Sequence, residues 1–221
     1  MSAIESRRGS VSRTRRALLV LAAGLACGSL PARGQATPRV VLVVGDSVSA
    51  GYGLAGGQGW VALLAARLKD ARSPYSVVNA SISGDTTAGG RARMPALLAQ
   101  HKPAVVVIEL GGNDALRGGR LATTRENLDA MVKDAQAAGA RVLLVGMEIP
   151  SNYGPAYVRE FRELYVDVAK ARRVPLVPSF FAGFGEDLAN FQADRIHPTA
   201  EAQAKLLANV WPYLQPLLRT P

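Results

Sequence analysis

The sequence has a single cysteine and few charged residues, which make up 19% of the chain. One cysteine excludes an intramolecular disulfide scaffold and any cysteine-rich zinc site. Hydrophobic residues account for 48%, so the chain is too apolar and too weakly charged to be intrinsically disordered. The composition therefore predicts a packed globular protein.

The formal net charge is +9, but the basic residues are concentrated at the beginning of the chain. Residues 1–16 contain five arginines and one glutamate, and the 14 residues from Ala17 to Leu30 are uncharged. A basic segment followed by an apolar stretch too short to span a bilayer, which requires ~20 residues, is typical of a secretory signal peptide. We expect residues 1–36 to be removed, with cleavage after Ala36 or, alternatively, after Ala32.

Two features of this segment leave the export route open. Arg15 and Arg16, followed by Ala17, resemble a twin-arginine signal, although paired arginines also occur in ordinary Sec signals. Cys27 lies in a partial match to a lipoprotein motif, and lipid anchoring there is the less favoured alternative. Either route predicts an exported protein, periplasmic or secreted.

Residues 37–221 carry 20 basic and 16 acidic side chains, a net charge of +4. These basic residues are spread along the chain and are not interleaved with aromatic residues. Nucleic acid is therefore not an expected partner. At most, the remaining charge would favour peripheral contact with an anionic lipid surface.

Short β-branched segments alternate with longer segments of helical period over residues 37–221, with no linker or repeat between them. The predicted strands are Arg39–Val44, Tyr75–Val78, Ala104–Leu110, Arg141–Val145 and Pro175–Val177. The predicted helices are Trp60–Ala71, Thr86–Ala99, Thr123–Ala138, Pro155–Lys170 and Thr199–Leu214. Gly139 is a predicted helix stop, and Pro198 suits the first position of the last helix. This alternation predicts one α/β domain with a parallel sheet covered by helices on both faces.

Polar and glycine-rich segments follow four of the predicted strands, where ligands bind in parallel α/β sheets. They are residues 45–53 (GDSVSAGYG), 79–87 (NASISGDTT), 111–114 (GGND) and 194–198 (DRIHP). Because the carboxyl ends of parallel strands share one edge of the sheet, we expect these segments to meet there.

Nucleophilic acyl transfer is the chemistry that such a set could perform. A serine hydroxyl needs a base to remove its proton, and the base needs a third group to fix its tautomer. Of the two histidines, His101 is expected at a solvated helix end on the opposite edge, whereas His197 is on the polar edge. Asp194, three residues earlier, could reach the His197 ring, and Ser47 is the candidate nucleophile. A helix cap and a surface turn are the alternative interpretation of Asp194 and His197.

An oxyanion hole needs donors that are in place before charge develops. The amides of Ser47 and Gly84 and the side-chain amide of Asn113 would provide three, although Asn113 could also be only a turn former. The Gly45-Asp46-Ser47 turn could alternatively be a helix cap or the anion-binding turn of a cofactor domain. No Gly-x-x-x-x-Gly-Lys-Ser/Thr phosphate loop follows this strand, and the Gly-x-Ser-x-Gly elbow is absent there as well.

The four segments together resemble the SGNH, or GDSL-type, hydrolase family. Its blocks are matched in order by Gly-Asp-Ser at Ser47, the glycine at Gly84, Gly-x-Asn-Asp at Asn113 and Asp-x-x-His ending at His197. The longer segments, including Asn152-Tyr153-Gly154, are similar to the bacterial periplasmic branch of acyl-CoA thioesterases, arylesterases and lysophospholipases. The match covers nearly all of residues 37–221.

The resemblance implies a flavodoxin-like α/β/α fold with five parallel strands in the order 2-1-3-4-5, and no cofactor or metal. It implies Ser47 as the nucleophile, His197 as general base and then acid, Asp194 as its orienting group, and Ser47, Gly84 and Asn113 as oxyanion donors. It also suggests a mobile loop, residues 114–120, that closes over acyl chains.

Apolar residues near the same edge provide candidate substrate contacts. We assign substrate binding to Asp46, Leu54, Leu116, Ile149, Pro150 and Tyr153. The apolar candidates for an acyl groove are Leu54, Ile149, Pro150, Tyr153, Tyr157, Phe180, Phe181 and Phe184, and we expect about half of them to belong to the core instead.

The expected function is hydrolysis of aryl esters, acyl thioesters or lysophospholipids by a monomeric enzyme. A carbohydrate or peptidoglycan O-acetyl esterase is the alternative enzyme, because the same residues could serve it. A non-catalytic module that binds lipids or anions is the alternative outside catalysis.

Overall fold

A computed structural model of the chain describes residues 39–219. The predicted signal segment, residues 1–36, lies outside this range. Within residues 39–219, no helix is long and apolar enough to span a membrane.

Five strands form one parallel sheet, and its order β2-β1-β3-β4-β5 is the expected one. The strands are β1 (Arg39–Gly45), β2 (Tyr75–Asn79), β3 (Val105–Glu109), β4 (Arg141–Val145) and β5 (Leu176–Val177). Each lies within one or two residues of its predicted bounds. The predicted α/β class and strand order are therefore confirmed.

The neighbouring interior strands β1 and β3 are buried on both faces. Residues 41–44 of β1 and residues 105–108 of β3 have no solvent exposure. Helices cover both faces of the sheet, so a polar side chain at any of these eight positions would be buried. Residues 41–44 and 105–108 are therefore all β-branched or otherwise apolar. Their apolar sequence favours interior positions in the sheet for β1 and β3, and the polar segments that follow them come together at one edge.

Seven α-helices surround the sheet in residues 39–219. They are α1 (Ser47–Ala50), α2 (Trp60–Asp70), α3 (Thr87–His101), α4 (Gly112–Leu116), α5 (Leu121–Ala137), α6 (Pro155–Arg172) and α7 (Gln203–Leu214). Helix α5 packs between α3 and α6, while α2 packs against α7. Gly139 follows the end of α5 with a φ of 81°, as expected for a helix stop, and His101 is the last residue of α3.

The prediction for the start of the last helix is wrong. Helix α7 begins at Gln203, and Pro198 is not its first residue. Instead, Pro198 pairs with Phe191 in an isolated antiparallel bridge, and the Thr199 amide donates to the Asn190 carbonyl at 2.8 Å. These contacts hold the backbone of residues 198 and 199 outside a helix, because their hydrogen bonds go to a preceding segment of the chain.

The two shortest helices, α1 and α4, were not predicted. Each occupies a polar segment at the end of a strand, where the sequence has too few residues for a helical period. Asp46 caps α1, and its carboxylate accepts a hydrogen bond from the Val48 amide at 3.0 Å. The cap places Ser47 at the first position of a helix, immediately beyond β1.

Candidate active site

Ser47, His197 and Asp194 form a continuous hydrogen-bonded chain. The Ser47 Oγ atom lies 2.8 Å from His197 Nε2, although the two residues are 150 positions apart. His197 Nδ1 lies 2.7 Å from Asp194 Oδ2. The nucleophile, base and orienting carboxylate predicted from the sequence are therefore brought together, with both ring nitrogens of His197 in use.

The Asp194 carboxylate is oriented to accept a hydrogen bond from the His197 ring. Its second oxygen accepts a hydrogen bond from the His197 backbone amide at 3.0 Å. Desolvation alone would raise the pKa of Asp194, but the hydrogen bonds from the amide and ring of His197 outweigh it and lower the pKa to about 2. The carboxylate is therefore ionised at neutral pH and favours the tautomer of His197 with a proton on Nδ1 and an acceptor at Nε2.

Three potential oxyanion donors lie in the segments that follow β1, β2 and β3. The amides of Ser47 and Gly84 donate to no backbone carbonyl among residues 39–219. Gly84 has a φ of 77°, a conformation that residues with a β-carbon rarely adopt. Asn113 directs its side-chain nitrogen to Asp46 Oδ2 at 3.0 Å, and this nitrogen has a second N–H. All three donors lie at strand ends, as the sequence predicted.

Asp46, which the sequence analysis assigned to substrate binding, is buried beside Ser47, and that assignment stays a prediction. Its side chain is only 2% exposed, and its two oxygens accept from the Val48 amide and the Asn113 side chain. Burial raises the pKa of Asp46 to about 6, although these hydrogen bonds and the nearby His197 partly oppose the shift. Asp46 is thus positioned to hold the nucleophile's helix and the Asn113 amide in one arrangement.

Glu109, the last residue of β3, is a buried acid that the sequence analysis missed. Its Oε2 atom accepts from Ser49 Oγ at 2.5 Å, and Ser49 Oγ accepts in turn from Trp60 Nε1 at 3.1 Å. Burial raises the pKa of Glu109 well above its ordinary value, and the neighbouring Asp46 raises it further. A β-carbon on Gly45 would lie 2.6 Å from Glu109 Oε2, so glycine makes room for this acid. The sequence feature that could have identified Glu109 is a single acidic residue within the apolar segment AVVVIEL, residues 104–110.

The predicted substrate contacts divide between the surface and the core. Leu54 and Leu116 are half-buried, and Pro150 and Tyr153 are exposed. Ile149 is 7% exposed and packs in the core, and its assignment to substrate binding stays a prediction. Of the eight apolar candidates for an acyl groove, four are buried, which matches the expected half: Ile149, Phe180, Phe181 and Phe184.

Residues 114–120 are tied to the neighbouring segments by several polar contacts, including two hydrogen bonds that Asp114 accepts from the amide and hydroxyl of Thr87. Arg117 donates to the Gly84 carbonyl at 2.9 Å. The hydroxyls of Tyr153 and Tyr157 donate to the carbonyls of Leu116 and Gly119, each at 3.0 Å. The loop therefore joins the Asn113 segment to the glycine segment on one side and to the segment after β4 on the other.

The geometry supports acyl-transfer chemistry by a serine nucleophile. A family model for the GDSL-like lipase/acylhydrolase family matches residues 43–205, a range that includes all of the residues of the candidate active site. The chain belongs to this family. It is therefore a hydrolase of the serine type, as the resemblance of its four motifs implied.

Relatives with assigned names are similar to this hydrolase over most of their length. Esterase TesA of Pseudomonas aeruginosa is 56% identical over 184 residues, which are 83% of this chain and 92% of the relative. Thioesterase 1/protease 1/lysophospholipase L1 of Escherichia coli is 43% identical over 183 residues, or 83% and 86% of the two chains.

A solved structure of the psychrotrophic esterase EstA from Pseudoalteromonas sp., inhibited by monoethylphosphonate, has the same fold. It is 36% identical and superposes with a TM-score of 0.77, covering 82% of this chain and all of that one. Within residues 39–219 of this hydrolase, no group of three or more His, Cys, Asp or Glu side chains could hold a metal ion.

Proposed function

We propose that this hydrolase cleaves carboxylic esters and thioesters, including aryl esters, acyl thioesters and lysophospholipids, through an acyl-enzyme on Ser47. The observation that carries the proposal is the hydrogen-bonded chain from Ser47 Oγ through His197 to Asp194, with distances of 2.8 and 2.7 Å. The names of the relatives, an esterase and a thioesterase with lysophospholipase activity, support these substrate classes.

In the first half of the reaction, Ser47 Oγ attacks the carbonyl carbon of the substrate while His197 Nε2 takes the serine proton. The carbonyl oxygen becomes an oxyanion, which the amides of Ser47 and Gly84 and the free N–H of Asn113 stabilise. The tetrahedral intermediate then collapses. The bond to the leaving oxygen or sulfur breaks, His197 returns the proton to it, and an acyl-Ser47 ester remains.

In the second half, water replaces the leaving group. His197 Nε2 removes a proton from water, and the hydroxide attacks the acyl carbon of the Ser47 ester. A second oxyanion forms in the same hole and collapses, releasing the carboxylic acid as Ser47 Oγ regains its proton from His197. Asp194 remains ionised throughout and stabilises the imidazolium formed in each step.

The acyl chain of the substrate would lie against the exposed and half-buried side chains beside Ser47. Leu54, Leu116, Pro150 and Tyr153 offer this surface. Each buried methylene contributes ~0.8 kcal/mol, so a few of them in the transition state would change kcat/KM by more than tenfold. The groove therefore determines the preferred chain length.

The proposed location of the enzyme is outside the inner membrane, after removal of residues 1–36. The basic residues 1–16 and the uncharged stretch that follows support this proposal. Export would separate the enzyme from cytosolic acyl-CoA and give it access to esters and lysophospholipids. We propose that residues 37–221 act as a monomer without a cofactor.

Labelling with a fluorophosphonate tests the nucleophile, because the reagent forms a covalent bond only with an activated serine. We expect peptide mapping to place the label on Ser47, with no label in the Ser47→Ala variant. Ser49→Ala is the matched control, since Ser49 is 1% exposed and its hydroxyl is committed to Glu109. A label retained in Ser47→Ala and lost in Ser49→Ala would reject the assignment.

A series of p-nitrophenyl esters from acetyl to decanoyl tests the substrate class. We expect kcat/KM to rise with chain length up to the limit set by the groove. A maximum at acetyl with no activity on longer chains would instead indicate an O-acetyl esterase.

A further inference from the structure

Tyr52, in the segment that follows α1, packs its aromatic ring against the imidazole of His197. The two ring centroids lie 4.5 Å apart, and the ring planes are tilted by 40°. Among residues 39–219, no other aromatic ring is paired with His197. Tyr52 is nevertheless 53% exposed, so this contact uses only part of its surface. The remaining surface lies beside the general base and is open to a substrate.

Backbone hydrogen bonds fix Tyr52 between the segments that carry the nucleophile and the base. Its amide donates to the Ser47 carbonyl at 3.0 Å, and its carbonyl accepts from Gln192 Nε2 at 2.8 Å. The Gln192 amide donates in turn to the His197 carbonyl at 2.7 Å. A β-carbon on Gly53 would collide with the Gln192 side chain, so glycine leaves room for this bridge. The position of Tyr52 is therefore set by both reacting segments.

The proposed mechanism gives each substituent of the substrate its own direction. In the tetrahedral intermediate, the reacting carbon carries Ser47 Oγ, the oxyanion, the acyl chain and the leaving atom. The oxyanion faces its N–H donors, among them the side chain of Asn113. The leaving atom must lie within hydrogen-bond distance of His197 Nε2, which protonates it. The leaving group is therefore the part of the substrate that lies nearest to the His197 ring.

The candidates for acyl contacts and Tyr52 follow different strands. Leu116 and Tyr153 follow β3 and β4, and the Tyr153 hydroxyl donates to the Leu116 carbonyl at 3.0 Å. Tyr52 follows β1 and contacts the ring that protonates the leaving atom. A hydrogen bond from Nε2 to that atom spans only ~3 Å. The first atoms of the leaving group therefore come within reach of the Tyr52 ring.

We propose that Tyr52 is a specificity-determining residue that binds the leaving group and favours aromatic leaving groups. A planar ring can pack against Tyr52 in an offset or edge-to-face arrangement, whereas an alkyl group lacks this attraction between rings. The preferred substrates are then aryl esters over alkyl esters of the same acid. This inference rests on the proposed ester hydrolysis and adds the class of leaving group.

Two butanoate esters with leaving groups of similar acidity test this preference. Phenyl butanoate has an aromatic leaving group and hexafluoroisopropyl butanoate does not, while both give the same butanoyl-Ser47. In Tyr52→Leu, kcat/KM for the phenyl ester should fall about three- to tenfold. The value for the hexafluoroisopropyl ester should change by less than about twofold. Equal losses on the two esters, or no loss on the phenyl ester, would overturn the proposal.

Two further variants serve as matched controls. Tyr52→Phe keeps the ring and should stay within about twofold of wild type on both esters. Tyr213→Leu removes an exposed tyrosine from α7 and should also behave like wild type. A loss in Tyr52→Phe as large as that in Tyr52→Leu would reject ring packing as the cause. A similar loss in Tyr213→Leu would show that the effect does not depend on the contact with His197, which also contradicts the proposal.

The two halves of the reaction distinguish contact with the leaving group from support of His197. The leaving group has departed before the second half, whereas His197 removes a proton in both. In single turnovers of p-nitrophenyl butanoate with enzyme in excess, release of p-nitrophenol reports acylation. Mass spectrometry of the quenched enzyme reports loss of the butanoyl group.

In Tyr52→Leu, the second-order constant for acylation should fall about three- to tenfold, while loss of the butanoyl group should stay within about twofold of wild type. Equal slowing of both halves would show that Tyr52 only positions His197, and the assignment to the leaving group would be rejected.

The wild-type protein separates the failure of this inference from the failure of the proposed function. Absence of hydrolysis of both butanoates, with no butanoyl-Ser47 formed, would reject the proposed function and this inference with it. Hydrolysis of both esters without a selective effect of Tyr52→Leu would leave the proposed function in place and reject only the role of Tyr52.

Discussion

Asn113 donates a side-chain N–H to the carboxylate of Asp46 over 3.0 Å. The contact joins the end of β3 to the residue before Ser47, and it uses one of the two hydrogens on the Asn113 nitrogen. The other hydrogen is thereby directed away from Asp46, as an oxyanion donor requires. We infer from this contact that Asp46 acts on catalysis by orienting Asn113.

The Asp46→Asn substitution separates this orienting role from helix capping. Asparagine caps a helix as well as aspartate does, so the free energy of unfolding at pH 8 should not fall. Val48 and Asn113 donate to different oxygens of Asp46, and asparagine has an acceptor oxygen at only one of these two positions, so one of the two hydrogen bonds is lost. We expect kcat to fall roughly tenfold with KM little changed, because a misoriented oxyanion donor costs transition-state stabilisation.

A double-mutant cycle tests whether the loss passes through Asn113. Asn113→Ala alone should lower kcat ~10²- to 10³-fold with the fold intact. In the Asn113→Ala background, Asp46→Asn should lower kcat no more than about twofold, because no side-chain amide is left to orient. Additive losses would show that Asp46 acts by another route.

The buried Asp46 should make the free energy of unfolding depend on pH. Its pKa is about 6 in the folded chain against an ordinary 3.8, so the folded state retains the proton where the unfolded state has lost it. The contribution of Asp46 to stability is therefore full below pH 4 and is lost as the pH rises through 6, by at most about 3 kcal/mol. Urea unfolding of wild type and Asp46→Asn between pH 4 and pH 8 measures the difference. Parallel curves for the two proteins would contradict the raised pKa.

Replacement of Asp194 should impair catalysis without unfolding the chain. In Asp194→Asn, the amide can donate to His197 Nδ1, which would favour the tautomer with a proton on Nε2 and prevent it from accepting the Ser47 proton. We expect kcat to fall by about 10⁴ with an unchanged circular dichroism spectrum. A kcat within tenfold of wild type would exclude Asp194 as the orienting group.

Metal chelators should leave the activity unchanged, because the proposed reaction uses only protein groups. We expect identical rates of p-nitrophenyl ester hydrolysis before and after dialysis against EDTA. Inactivation by EDTA that zinc reverses would require a different mechanism.

The α/β class could be predicted from the hydrophobic patterns of individual sequence segments, because the folded structure keeps the strands and helices that these patterns indicate. The apolar segments at β1 and β3 exclude any arrangement in which one face meets water, and their alternation with helical periods restricts the topology to parallel crossovers. The boundary of the last helix could not be predicted, because Thr199 donates its backbone amide to Asn190 in a different segment.

The sequence by itself determined the chemical groups of the site, since Ser47, Gly84, Asn113, Asp194 and His197 follow strands whose carboxyl ends must share one edge. Tertiary structure decided which neighbouring side chains face solvent and which face the core. It buried Asp46 and Ile149, gathered Glu109 with Ser49 and Trp60, and left Ile82 and Ile196 exposed. Burial and pKa depend on the packing of distant segments, and no local pattern in the sequence contains that information.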